Sequence, residues 1–142
     1  TALDALTCPI EADLVYLDPP YVRADGAAFS YQDGYHFLEG LIDYPRWAAA
    51  IDHRRRHLPL TRPPSPFEDA RTAPEALERV LERAKDARWI VLSYRADGLP
   101  SPDRLRATLT KLGRSVSVLE QPATYTLSRR RSAELVFVAE RR

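Results

Sequence analysis

At 142 residues, with 44% apolar side chains and a formal net charge of +1, the chain has the size and core-forming content of one globular domain. No apolar run is long enough to cross a bilayer as a helix, and the single Cys8 excludes an internal disulfide. Cys8 and three scattered histidines offer no metal-binding spacing, and no charged–apolar–small leader pattern opens the sequence, so a reduced, cytoplasmic setting without a membrane partner is expected.

Residues 1–12 are expected to close an upstream unit, with a short segment at Leu3 and Leu6 and a turn at Pro9. Residues 13–20 follow as the first strand. Its four consecutive apolar residues, Leu14 to Leu17, suit a parallel strand covered on both faces. Asp18, Pro19, Pro20 and Tyr21 end it abruptly. Pro19 has no amide proton, and each proline holds its predecessor extended, so regular pairing must stop there.

Residues 22–43 lack clean periodicity but hold Phe29, Tyr31, Tyr35, His36 and Phe37, either as an active-site wall or as a loop pinned by its aromatics. Asp43 can cap a helix with Pro45 in its first turn, predicted to run to about His57. Arg54, Arg55 and Arg56 would then favour the negative end of the helix dipole, or contact phosphate. Pro59, Pro63, Pro64 and Pro66 forbid a regular element across residues 58–73.

Thr72 and Glu75 fit a capping box, with Leu77, Val80, Leu81 and Ala84 at helical spacing behind them. Trp89 to Tyr94 reads as a second apolar strand. Ser101 caps another helix that opens on Pro102, carries Leu105, Leu109 and Leu112 as its stripe and stops at Gly113. Val116 and Val118, then Tyr125 and Leu127, alternate as half-buried strands, and Leu135 to Ala139 is the last strand. The cluster Arg129 to Arg131 marks a turn between late strands, suited equally to phosphate contact and to solubility. The order of elements is that of an α/β protein.

The corner after the first strand carries the chemistry. Open α/β sheets place ligands at the carboxyl ends of their strands. There Asp18 and the Pro19 carbonyl can each accept one N–H, and Tyr21 can stack on a ring, which suits a planar base bearing an exocyclic amino group. Nineteen arginines against two lysines would suit phosphate recognition, but twenty acidic residues cancel the overall field.

This constellation resembles the Asp-Pro-Pro-Tyr motif of the amino-methylating, S-adenosylmethionine-dependent DNA methyltransferases, most closely the adenine-N6 group of the D12 class. Tyr35-His36-Phe37-Leu38-Glu39 and Leu92-Ser93-Tyr94-Arg95-Ala96-Asp97-Gly98 also look like stretches of a D12-type subfamily, in the family's order. The resemblance implies the carboxyl-terminal half of a seven-stranded, Rossmann-like sheet ending in an antiparallel hairpin. Residues 1–142 would then be a partial catalytic domain, because the five glycines (Gly26, Gly34, Gly40, Gly98, Gly113) build no Phe-x-Gly-x-Gly cofactor loop.

On the same resemblance, S-adenosylmethionine is the cofactor, with Asp4 and Asp18 beside it. Double-stranded DNA is the partner, in the setting of restriction and modification, with the target base flipped into a pocket at Asp18, Pro19, Pro20 and Tyr21. Tyr94 and Arg95 would wall that pocket, although Arg95 can equally pair with Asp97, and the residues around Asp4 favour a helix cap. Tyr35 and His36 would lie towards the substrate. Cytosine N4 in DNA and guanine N2 in RNA remain alternative targets, and a non-catalytic remnant or complementing subunit is the alternative outside catalysis. In a half sheet the first strand would bare one edge, expected to be covered by residues 1–12, a second copy in a homodimer, or the upstream half.

Overall fold

The computed structural model describes residues 4–23, 25–26, 34–42, 44–61, 65–124 and 131–142. Among the described residues, four strands form one sheet: β1 (Leu14–Leu17), β2 (Trp89–Arg95), β3 (Arg114–Thr124) and β4 (Arg131–Arg141). Their spatial order is β1-β2-β4-β3. β1 and β2 run parallel, with Leu14 opposite Trp89 and Leu17 opposite Leu92. A parallel pair needs a long crossover, and the chain between them carries the helices α1 (His36–Ile42), α2 (Tyr44–Ala50) and α3 (Ala73–Arg83). After β2, α4 (Pro102–Lys111) leads to β3, and β4 pairs antiparallel with both β3 and β2. Pro122 lies in β3, an edge strand, where a missing amide is tolerated.

Alternation decides what is buried. Ile90, Leu92 and Tyr94 of β2 share a face with Leu135, Phe137 and Ala139 of β4, and this face meets Leu77 and Leu81 of α3 and Leu105 and Leu109 of α4. α4 opens as its sequence requires: Ser101 Oγ accepts the Arg104 amide at 3.3 Å, and Pro102 occupies the first turn. It closes at Gly113, whose φ of +74° belongs to the left-handed region that glycine adopts without strain. α3 departs from its expected cap. The Thr72 side chain makes no capping bond and gives its hydroxyl to the Pro66 carbonyl at 2.8 Å, tying down the loop that enters the helix.

Three further expectations are corrected. β1 is not covered on both faces: Val15 and Leu17 pack on the core, whereas Leu14 and Tyr16 are 54% and 61% exposed. It stands at the edge of this sheet, as a half sheet requires, but residues 4–12, one of the covers expected there, form a turn near α3, with the Arg83 guanidinium on the Cys8 carbonyl, instead of pairing with it. The helix expected to reach His57 stops at Ala50. Residues 51–60 form a loop closed by the Ile51–Leu60 bridge and by the Asp52 amide on the Pro59 carbonyl at 2.7 Å. Arg54 and Arg55 therefore sit on a loop and pair with Asp52 at 3.0 and 3.8 Å, with no helix terminus to cap.

Helix α1 replaces part of the expected aromatic loop. Phe29, Tyr31, Asp43, Tyr125, Leu127, Arg129 and Arg130 lie outside the described residues. Among the described residues, no helix is long and apolar enough to cross a membrane.

One buried cation holds the far end of the core. Arg114 is 1% exposed, and its Nη2 donates to the carbonyls of Ala84, Lys85 and Ala87 at 3.1, 2.9 and 2.8 Å. Nη1 donates to the Ala139 carbonyl at 3.1 Å, so one guanidinium closes the end of α3 onto β4. The Ala84 carbonyl lies at the negative end of the α3 dipole, and with the carbonyls that follow it stands in for a carboxylate. Burial, followed by the positive charge of Arg141, lowers the Arg114 pKa from its ordinary value. Leaving these carbonyls without a donor costs about 1–3 kcal/mol for each group stranded from water. Arg114→Met should therefore lower the unfolding free energy by about 3 kcal/mol in urea titration, with Arg114→Lys between it and wild type. A loss below about 0.5 kcal/mol would show that water replaces the guanidinium.

Candidate active site at the carboxyl end of the parallel strands

Because Leu17 pairs with Leu92, the next residues, Asp18 and Ser93, stand level where the ladder ends. Pro19 and Pro20 then turn the chain so that Tyr21 folds back across this end. The Tyr21 hydroxyl donates to Asp18 Oδ1 at 2.9 Å and lies 3.3 Å from Ser93 Oγ. Its ring meets Tyr94 edge to face, with centroids 6.2 Å apart and planes at 82°, a favoured aromatic geometry. The carboxylate is exposed, while the phenol behind it is half-buried against the core.

Tyr94 is a brace for this arrangement. It is 1% exposed and donates its hydroxyl to the Pro100 carbonyl at 2.8 Å. Burial, then the nearby Tyr21, pushes its pKa well above the ordinary phenol value, so it stays protonated. Tyr94 thus touches the corner through the ring of Tyr21 and, being buried, does not itself face an open pocket. The loop after β2 is stitched to the corner as well: the Leu99 amide donates to the Val22 carbonyl at 2.7 Å, and Arg23 bridges to Gly98. Arg95 is held by Asp97 through two bonds of 2.8 and 3.0 Å. The pairing with Asp97 is the one the structure adopts.

A cleft of about 250 Å³ opens beside the corner, between Tyr16, Leu17, Asp18, Pro19 and Pro20 on one side and Phe67 with α3 on the other. Tyr16 and Leu17 point to opposite faces of a strand, so this cleft wraps the edge of β1 that no strand pairs among the described residues. Ala5 also lines it, which brings the turn containing Asp4 close by. Asp4 itself uses Oδ1 to accept the Leu6 amide at 2.9 Å, the behaviour of a turn-capping aspartate.

The structure therefore brings together Asp18, Pro19, Pro20, Tyr21 and, from behind, Tyr94. Tyr35, half exposed beside α1, does not line the cleft, and His36 begins α1 with its side chain outside the described residues. Ser93, to which the sequence pattern gave no role, also stands at this corner, one residue past the last position of β2 that pairs with β1. Among the described residues, no three His, Cys, Asp or Glu side chains converge as a metal site.

The chain is similar to the Type II methyltransferase M2.HphI of Haemophilus parahaemolyticus, with 31% identity over 137 residues, 94% of this chain and 36% of the relative. It thus spans about a third of the relative's length. No protein-family model matches the chain, and no solved structure matches it significantly.

Gly98 tests whether the brace is as tight as the distances indicate. A Cβ there would lie 2.5 Å from Cε1 of the Tyr94 ring, which is buried and has nowhere to move. Gly98→Ala should cost about 2 kcal/mol by overpacking. In a Tyr94→Leu background the same alanine should cost far less, because the two changes share one contact. Equal costs in the two backgrounds would mean that the ring does not constrain position 98.

Proposed function

We propose that this chain is the base-receiving part of an S-adenosylmethionine-dependent DNA methyltransferase acting on the N6 amino group of adenine. The observation that carries this reading is the corner Asp18-Pro19-Pro20-Tyr21, standing level with Ser93 at the carboxyl end of β1 and β2 and braced by Tyr94. The similarity to a Type II methyltransferase across 94% of the chain supports it independently.

The amino nitrogen of adenine is a poor nucleophile because its lone pair is drawn into the ring. Two acceptors on its hydrogens favour pyramidalisation and stabilise the positive charge that develops as the methyl group arrives. Asp18 can provide one acceptor through the carboxylate oxygen that Tyr21 does not hold, and the Pro19 carbonyl provides the other. Tyr21 offers the ring face on which the base stacks. A base inside a duplex cannot reach such a corner, so the target nucleotide is flipped out of double-stranded DNA. Asp18 can take up the proton released once the amine is methylated, without acting as a strong base beforehand. Tyr35 and His36, on the segment after the corner, are the proposed contacts with the rest of the nucleic acid.

S-adenosylmethionine supplies the methyl group when bound. The cleft beside Asp18, at about 250 Å³, is smaller than the roughly 300–1,000 Å³ usual for a ligand of that class, so the residues here form only one wall of a cofactor site. The unpaired edge of β1, with Leu14 and Tyr16 exposed on its open face, supplies the place for the rest. A cofactor-binding half carrying the glycine loop would extend the sheet there by strand addition, towards the seven strands of a complete enzyme.

In the complete polypeptide, Asp18→Ala should reduce methyl transfer from labelled S-adenosylmethionine to DNA by at least about 100-fold. Its melting temperature should stay close to wild type, since the carboxylate is exposed. Retained transfer would overturn the assignment of Asp18, and a large loss of stability would make the corner a structural turn.

A further inference from the structure

Proton accounting at the corner gives Ser93 a direction. An ionised carboxylate accepts hydrogen bonds and donates none, and a phenol has a single proton. With 2.9 Å between the Tyr21 hydroxyl and Asp18 Oδ1, that proton is committed to Asp18. The phenol oxygen can then only accept from Ser93, 3.3 Å away. The three groups form a one-way chain, Ser93 to Tyr21 to Asp18, in which each bond polarises the next.

The ends of this chain differ in firmness. Ser93 lies in β2, which is flanked by β1 on one side and β4 on the other, where Val136 is its partner. Asp18 lies on an exposed corner after a strand with one neighbour, and it is the group a substrate amine must engage. The firm anchor for the phenol oxygen is therefore the serine, while Tyr94 steadies the ring from its edge.

Resting on the methyltransferase reading above, we infer that Ser93 is a positioning residue. Its hydroxyl fixes which way the Tyr21 proton points, pins Asp18 Oδ1 through that proton, and so turns the second carboxylate oxygen towards the incoming amino group. Tyr21 has two duties in this arrangement: its face receives the base and its hydroxyl sets the carboxylate. Ser93 touches neither the base nor the methyl donor and acts only through the phenol.

The test is a set of variants of the complete polypeptide, assayed for methyl transfer to DNA and for thermal stability. Ser93→Ala should lower kcat about tenfold, the loss of roughly one hydrogen bond's worth of positioning, with the KM for S-adenosylmethionine and the melting temperature nearly unchanged. Ser93→Thr keeps the hydroxyl and should recover most of kcat. The double variant Ser93→Ala/Tyr21→Phe should be no slower than Tyr21→Phe alone, because the serine acts through the hydroxyl already removed. Wild-type kcat in Ser93→Ala, or a double variant slowed by the product of the two single effects, overturns the inference. If Asp18→Ala is inactive while Ser93→Ala is fully active, only the role of Ser93 fails. An Asp18→Ala variant that still transfers methyl groups removes the role of Asp18 and with it the chain through Tyr21, whereas a folded wild-type polypeptide that transfers none removes the methyltransferase reading beneath it.

Discussion

Pairing Leu17 with Leu92 leaves Asp18 level with Ser93 at the point where Pro19 withholds its amide and the ladder must end. A shift of one residue in this parallel register would send Asp18 to the other face of the sheet. It would also separate the carboxylate from the serine and leave the Tyr21 hydroxyl without its pair of partners. The core enforces the register, because Leu17 and Leu92 must face α3 and α4 together. The site is thus a by-product of burial: the same alternation that hides Leu92 and Tyr94 presents Ser93.

The two ends of the sheet are held by different means. At one end Arg114 collects the carbonyls that close α3, a firm closure that depends on a single charged side chain. At the other end the corner is held by short links between loops, namely Leu99 to Val22, Arg23 to Gly98 and Arg95 to Asp97. Each link is modest by itself, and the buried Tyr94 makes them act together. The open edge and face of β1 stand apart from both. Leu14 and Tyr16 are too exposed for a finished core, and on the proposed reading they await the part of the enzyme that holds the cofactor.

Much of this architecture was legible in the sequence, for local reasons. Ser101 with Pro102, the run Trp89 to Tyr94 and Gly113 each carry a cap, a strand or a stop within a few residues. The proline corner that ends β1 was legible for the same reason. What stayed hidden depends on partners far along the chain. Thr72 looked like a capping residue, but a carbonyl six residues back takes its hydroxyl. The basic run after Ala50 looked like a helix end, but Asp52, the left-handed Leu58 and Pro59 fold it into a loop. Arg114 is buried against backbone carbonyls, which no side-chain pattern records. Tyr94 read as a pocket wall because it closes the second strand at the same end of the sheet as Asp18, yet strand alternation places it with Ile90 and Leu92 in the core. Ser93, its neighbour, is the residue that faces the corner.

The central claim is that this corner receives the amino group of adenine, and the product of the reaction tests it most directly. DNA would be incubated with the complete polypeptide and S-adenosylmethionine labelled in its methyl group, digested to nucleosides and separated by chromatography. The account predicts label in N6-methyldeoxyadenosine. Label in N4-methyldeoxycytidine, or none in the DNA from a folded protein, would contradict it.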